Sequence, residues 1–145
     1  MNNEYPNPWN FSNIDKNLLS PNGEYKIEFG ELYEIAMGAP IGGECYLMHE
    51  NKKLKLNEWC GGPIIWNESS YKIALPIWTK LRNQKISIVD INNQTITTFK
   101  KEFRVLHFKK FIDNNLFGLD SPIYMTTQLN FNIDKEDVET IKRLI

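Results

Sequence analysis

Two stretches of the chain carry the same alternation of apolar and polar positions. Leu18-Leu19-Ser20-Pro21-Asn22-Gly23-Glu24-Tyr25-Lys26-Ile27-Glu28-Phe29 returns as Ile64-Ile65-Trp66-Asn67-Glu68-Ser69-Ser70-Tyr71-Lys72-Ile73-Ala74-Leu75, with the Tyr-Lys-Ile elements 46 residues apart. Each copy is an apolar pair, a polar turn and a period-two strand, which predicts stacked β-meanders. Residues 25–29 and, after Gly30, residues 32–37 read as strands; the Gly-Ala-Pro-Ile-Gly-Gly run at 38–43 reads as a loop. Residues 45–48 and 53–56 form a hairpin around Glu50-Asn51, and residues 71–78 form a long strand in which Pro76 predicts an edge or a bulge. Residues 85–91 and 94–99 flank Asn92-Asn93, a pair suited to a type I′ turn. Three more strands are predicted within 103–111, 116–119 and 128–133, separated by Asp113-Asn114-Asn115 and Asp120-Ser121-Pro122.

The ends differ. Residues 1–17 show neither period and read as an irregular arm pinned by Trp9 and Phe11. At the other end Asp134-Lys135-Glu136-Asp137 is a helix start, and Val138, Ile141 and Ile145 then fall on one face, which predicts a short C-terminal helix over 134–145. The expected whole is one mainly β domain: arm 1–17, antiparallel meander 18–133, closing helix.

Composition changes this picture little. At 145 residues, 41% hydrophobic and 12% aromatic, the chain suits a single domain with its own core, read as a monomer. The start Met1-Asn2-Asn3-Glu4-Tyr5-Pro6 lacks a basic region followed by an apolar one, and no apolar run approaches a membrane span, so the expected location is cytoplasmic. On that basis Cys45 and Cys60 are expected to be reduced thiols acting as small hydrophobes. Charge is asymmetric along the chain: residues 1–70 hold five Lys/Arg against ten Asp/Glu, residues 71–145 twelve against eight.

Pro63-Ile64-Ile65-Trp66-Asn67-Glu68-Ser69-Ser70-Tyr71-Lys72-Ile73-Ala74-Leu75 resembles the repeat of TolB-type and WD40-like propellers, where a Pro and a Trp precede a Ser-Pro-Asp-Gly-like turn and an Ile-Ala-Phe-like strand. Ser20-Pro21-Asn22-Gly23 is similar to that turn, and residues 85–96 to a blade's outer hairpin, so the resemblance spans about residues 18–111. It implies blade-like repeats. A closed propeller needs at least about four blades and this length holds about three, so a partial, open propeller or a sandwich follows. The resemblance supplies no catalytic residue; it implies protein binding through loops and rims.

The candidate chemistry is sparse. Trp59-Cys60-Gly61-Gly62-Pro63 presents a Cys between an aromatic residue and glycines, with His107 as the one partner for a Cys-dependent reaction; the simpler reading is a structural Cys in a Gly-rich turn. Cys45, His49, Cys60 and His107 are zinc-ligand types at a spacing that matches no common site, so no metal or cofactor is expected. Asp90 and Asp120 stand at strand ends, where carboxylates accept turn amides.

Two binding readings remain. The first is a small bacterial immunity protein that binds and neutralises a cognate toxin, a nuclease with a basic groove being the sharpest case. An Asn-, Ile- and Lys-rich composition typical of an AT-rich bacterial gene supports it, and so does the acidic first half. Its contacts are expected at Glu28, Glu31, Tyr33, Glu34, Glu44, Tyr46 and Glu50. The alternative is a nucleic-acid-binding β-protein using the basic stretch 80–110, where Lys80, Arg82, Lys85, Lys100, Lys101, Arg104, Lys109 and Lys110 interleave with Trp78, Phe99, Phe103, Phe108 and Phe111. Alternation predicts instead that those aromatics face a core and the cations face water. A Cys-dependent enzyme is the third reading.

Overall fold

The computed structural model describes residues 6–144. In chain order its strands are β1 (Lys26–Phe29), β2 (Tyr33–Glu34), β3 (Ile41–His49), β4 (Lys52–Cys60), β5 (Ile65–Trp66), β6 (Lys72–Trp78), β7 (Gln84–Asp90), β8 (Thr95–Phe99), β9 (Leu106–Ile112), β10 (Asn115–Asp120), β11 (Thr127–Asn132) and β12 (Val138–Arg143). Nine of them make one antiparallel sheet in the order β1-β3-β4-β6-β7-β8-β12, with β2 beside β3 and β5 beside β6; β11-β10-β9 make a second. The mainly β, antiparallel expectation holds, and the described residues form no closed propeller.

β6 is the hinge of the architecture because both of its faces are buried. Ile73, Leu75 and Ile77 face one core with Ile27, Phe29, Leu47, Leu56 and Trp66, gathered inside the curled large sheet. Ala74, with Ile86 and Ile88 of β7, faces a second core that the small sheet covers with Phe108, Phe111, Leu116, Leu129 and Phe131. Alternation along one strand thus divides its side chains between two cores. Pro76 therefore sits in a central strand, not at an edge. Its carbonyl accepts the Gly61 amide at 2.7 Å, so its donor-free nitrogen points to the same side, into the gap where pairing passes from β5 at Ala74 to β4 at Ile77.

The repeat survives in the fold with a slip of one residue. Ser20 N–H donates to Tyr25 O and Gly23 N–H to Ser20 O (2.8 and 2.9 Å); Asn67 N–H donates to Lys72 O and Ser70 N–H to Asn67 O (2.8 and 3.0 Å). Gly23 and Ser70 take the same positive φ of 77° and 70°. The turns therefore match 47 residues apart, whereas the buried positions Ile27 and Ile73, Phe29 and Leu75, keep the spacing of 46. The two turns also touch: Ser70 Oγ accepts the Asn22 amide at 2.9 Å, and Trp66 Nε1 donates to Leu18 O at 3.0 Å.

Three local expectations are corrected. The strand expected over 32–37 shrinks to Tyr33–Glu34, and the expected loop at 38–43 ends early because Gly42 and Gly43 belong to β3. Glycine is needed there: a Cβ on Gly42 would stand 2.9 Å from Cys60 O and 3.0 Å from the Trp78 ring. The hairpin after β7 has the expected strands, but its turn puts the left-handed residue at Gln94 (φ 55°), whereas Glu50-Asn51 takes the double positive φ (47° and 65°) of a type I′ turn.

The C-terminal helix is absent. Lys135 and Glu136 amides donate to Asn132 O for a single turn, and the chain then extends as β12 against β8, with Ile141 opposite Thr97 and Lys142 opposite Ile96. The β-branched Val138, Thr140 and Ile141 suit a strand, and the open edge of β8 supplies ladder partners that so short a helix cannot match. Ile145, the last residue of the expected helix face, lies outside the described residues, as do residues 1–5 of the arm.

The cysteines are also not the reduced pair expected: Cys45 and Cys60 are bonded, with Cα atoms 6.2 Å apart and both side chains fully buried. β3 and β4 pair with register shifts around Cys45, which bring both residues inward at a separation a disulfide spans. Among the described residues no helix is long and apolar enough to cross a membrane.

Candidate protein-binding surface

The residues expected to bind a partner follow the length of β3, on or beside that strand and its neighbours β1 and β2. Ile41 to His49 is eight steps, about 26 Å of strand; Glu34 pairs with Ile41 at one end, and Glu50 stands in the turn beyond His49 at the other. Glu28, Glu44 and Tyr46 share the outer face between them, with Glu28 opposite Tyr46 and Tyr46 opposite Lys55. Their charge is answered locally. Lys55 Nζ donates to Glu44 Oε2 at 2.8 Å and lies 3.5 Å from Glu58, Lys53 lies 3.8 Å from Glu28, and Lys53 Nζ sits 4.4 Å above the Tyr46 ring. The Lys55 ammonium, and after it the Tyr46 hydroxyl donating at 2.6 Å, hold the Glu44 carboxyl below the usual carboxylate range.

Glu31, Tyr33 and Glu34 lead to a different region, where loops from distant parts of the chain gather. Trp9 Nε1 donates to Gly38 O at 3.2 Å and Ile41 N–H to Pro8 O at 3.2 Å, tying the arm to loop 35–40. Gln84 and Phe103 exchange two backbone bonds of 2.8 Å, which brings turn 79–83 beside residues 103–105. Asp120 Oδ1 accepts the Arg104 and Val105 amides at 2.9 and 3.0 Å, and Val105 O accepts Ser121 N–H at 2.8 Å, which joins loop 121–126 to the same end. Both Asp90, whose Oδ1 accepts the Asn93 amide at 3.0 Å, and Asp120 have the amide-binding role expected of them.

This loop end exposes apolar side chains. Ser121 and Met125 take positive φ, the Ser121 hydroxyl donates to Tyr124 O, and the Thr126 hydroxyl donates to Ser121 O at 2.8 Å. The braced turn thrusts out Ile123, Tyr124 and Met125 at 75, 67 and 72% exposure, and Met37 and Leu81 protrude from neighbouring loops. Two hollows lie among them. One of about 360 Å³ is walled by Pro8, Trp9, His107, Pro122 and Ile123. The other, about 230 Å³, is walled by Ile35, Pro40, Val105, Trp78, Arg82 and Arg104. The sequence signals this site only at Ser121-Pro122-Ile123-Tyr124-Met125, where an apolar triplet occupies a turn that Asp120-Ser121-Pro122 marks merely as a connection.

The other candidates separate. Cys60 carries no thiol because it is bonded to Cys45 in the first core, whereas His107 belongs to the wall of the larger hollow with Nε2 3.2 Å from Pro6 O. Burial first, and then the Lys109 charge, pull the His107 pKa below its ordinary value. His49 stacks on Tyr25 at 4.5 Å, so the four zinc-ligand types do not converge. In the basic stretch Trp78, Phe99, Phe103, Phe108 and Phe111 are all at most 7% exposed, as alternation predicts, and no aromatic of that set is open to a base. No protein-family model, no curated protein and no solved structure matches this chain.

Proposed function

We propose that this chain is a non-catalytic protein-binding domain, in its most concrete form a cytoplasmic bacterial immunity protein that neutralises a cognate toxin by docking through the loop end. The observation that carries the reading is the Ile123-Tyr124-Met125 turn. Three consecutive large side chains are held in water by a hydrogen-bonded loop, a cost of apolar exposure with no benefit to folding and a direct benefit to an interface. Glu31, Tyr33 and Glu34 flank this end and serve as its rim; Glu28, Glu44, Tyr46 and Glu50 lie on the outer hairpin face, outside the docking surface of this reading. Kinship with propeller blades over residues 18–111 is part of the same proposal, since such blades bind through loops and rims.

The test is co-expression with the product of the adjacent reading frame. The reading expects rescue of growth and a complex that survives gel filtration, lost when Ile123, Tyr124 and Met125 are all changed to Ser. Absence of any complex, together with salt-sensitive binding of generic DNA or RNA, would replace it with the nucleic-acid reading.

A further inference from the structure

We infer that the smaller hollow of the loop end is a carboxylate-reading pocket, which takes from the partner a large apolar side chain next to an Asp or Glu. The inference rests on the protein-binding reading and narrows it to one chemistry. Its geometry comes from two turns. Thr79 N–H donates to Asn83 O and Arg82 N–H to Thr79 O (2.8 and 2.9 Å), closing a tight turn in which Arg82 takes φ 64°. The Gln84–Phe103 backbone pair and the Asp120 carboxylate, which accepts the Arg104 amide, fix residues 103–105 beside it. Arg82 and Arg104 are thereby held on the wall of one hollow whose remaining surface, Asn83 apart, is apolar: Ile35, Ala39, Pro40, Val105 and the Trp78 ring.

The charges there are unanswered. Among the described residues neither guanidinium has a carboxylate partner, in contrast to Lys53, Lys55 and Lys85. The neighbouring acids are occupied otherwise: Glu102 accepts the Asn83 amide at 3.2 Å and Glu34 accepts Gly38 N–H at 3.1 Å. Two exposed arginines beside an apolar hollow match a carboxylate in fork geometry, with the adjoining apolar side chain filling the space between them. Lys80, exposed in the same turn, adds to the field. The nucleic-acid alternative lacks a stacking surface here, because Trp78 is only 6% exposed. The contacting segment is acidic whatever the net charge of the partner as a whole.

The experiment selects from a displayed library of random dodecapeptides on the intact chain. The inference expects enriched peptides that place a Leu, Phe, Trp or Tyr within about two positions of an Asp or Glu. A synthetic member of that class should lose about tenfold to a hundredfold in affinity on the Arg82→Ser/Arg104→Ser variant, the worth of charge-assisted hydrogen bonds. Both side chains are exposed and unpaired, so the variant is expected to keep the parent melting temperature, and Ile35→Ser provides a charge-independent check. Enrichment of basic peptides, no enrichment, binding of inorganic phosphate or RNA in place of peptide, or affinity unchanged in the double variant would each overturn it. Those failures leave the toxin-complex test standing, and failure of that test leaves the peptide result standing.

Discussion

The outer face of the β3–β4 hairpin and the loop end both carry charges and meet solvent in opposite ways. On the hairpin, Glu44 is satisfied by Lys55 and Tyr46, and Glu28 by Lys53, all within one layer of cross-strand neighbours. At the loop end Arg82 and Arg104 stand without carboxylates beside protruding Ile123, Tyr124, Met125 and Leu81. The hairpin is a solvated face that answers its own charge; the loop end leaves both arginines and its apolar side chains to the solvent. The acidic count of the first half therefore leaves little unanswered charge on this face, because β4 brings Lys53 and Lys55 to 3.8 and 2.8 Å from Glu28 and Glu44.

The contrast can be broken most forcefully from below. Phe131 is 1% exposed, edge-on to Phe99 at 5.0 Å and to Phe103 at 6.2 Å, and it fastens the small sheet that bears loop 121–126. Phe131→Ala should cost about 3–5 kcal/mol in a urea melt. A loss under about 1 kcal/mol would mean that this packing does not support the loop end. Next comes the Ile123→Ser/Tyr124→Ser/Met125→Ser variant, expected to weaken a partner complex about a hundredfold or more while leaving the urea midpoint in place. Equal binding would return attention to the hairpin.

A smaller effect is expected on the hairpin face. Lys55→Met should let the Glu44 carboxyl titrate closer to its ordinary range, read by NMR, with partner affinity changed less than about twofold. A large loss of affinity would make that face part of the interface.

The last prediction concerns pH. His107 is held below its ordinary pKa of 6.5, so the native state prefers the neutral ring. The unfolded chain binds the extra proton first. Stability should therefore be full above about pH 6.5 and decline as pH falls from there toward the folded-state value. His107→Gln should flatten this slope in urea midpoints taken between pH 7 and 5; an unchanged slope would assign it to other groups.

Much of the fold is legible in local pattern, and the exceptions share a cause. The hairpins at 50–51 and 92–94 and the strands of the small sheet follow from alternation and turn residues, which act within a few positions. Pro76, Gly42, the C-terminal segment and the cysteines are decided by what lies across from them: a gap in the ladder, the Cys60 carbonyl, the open edge of β8, and the shifted β3–β4 register. No periodicity in one strand reports its neighbour. The candidate surface was hidden for the same reason, since Arg82 and Arg104 meet only through the Gln84–Phe103 pair, and loop 121–126 joins them only through Asp120 and Val105.

Hydrogen–deuterium exchange of the chain alone and in complex with the product of the adjacent reading frame tests the central contrast most directly. Docking at the loop end predicts slowed exchange in residues 35–40, 79–83 and 121–126 with residues 44–58 unchanged. Protection confined to 44–58, with the three loops exchanging as freely as before, would contradict it.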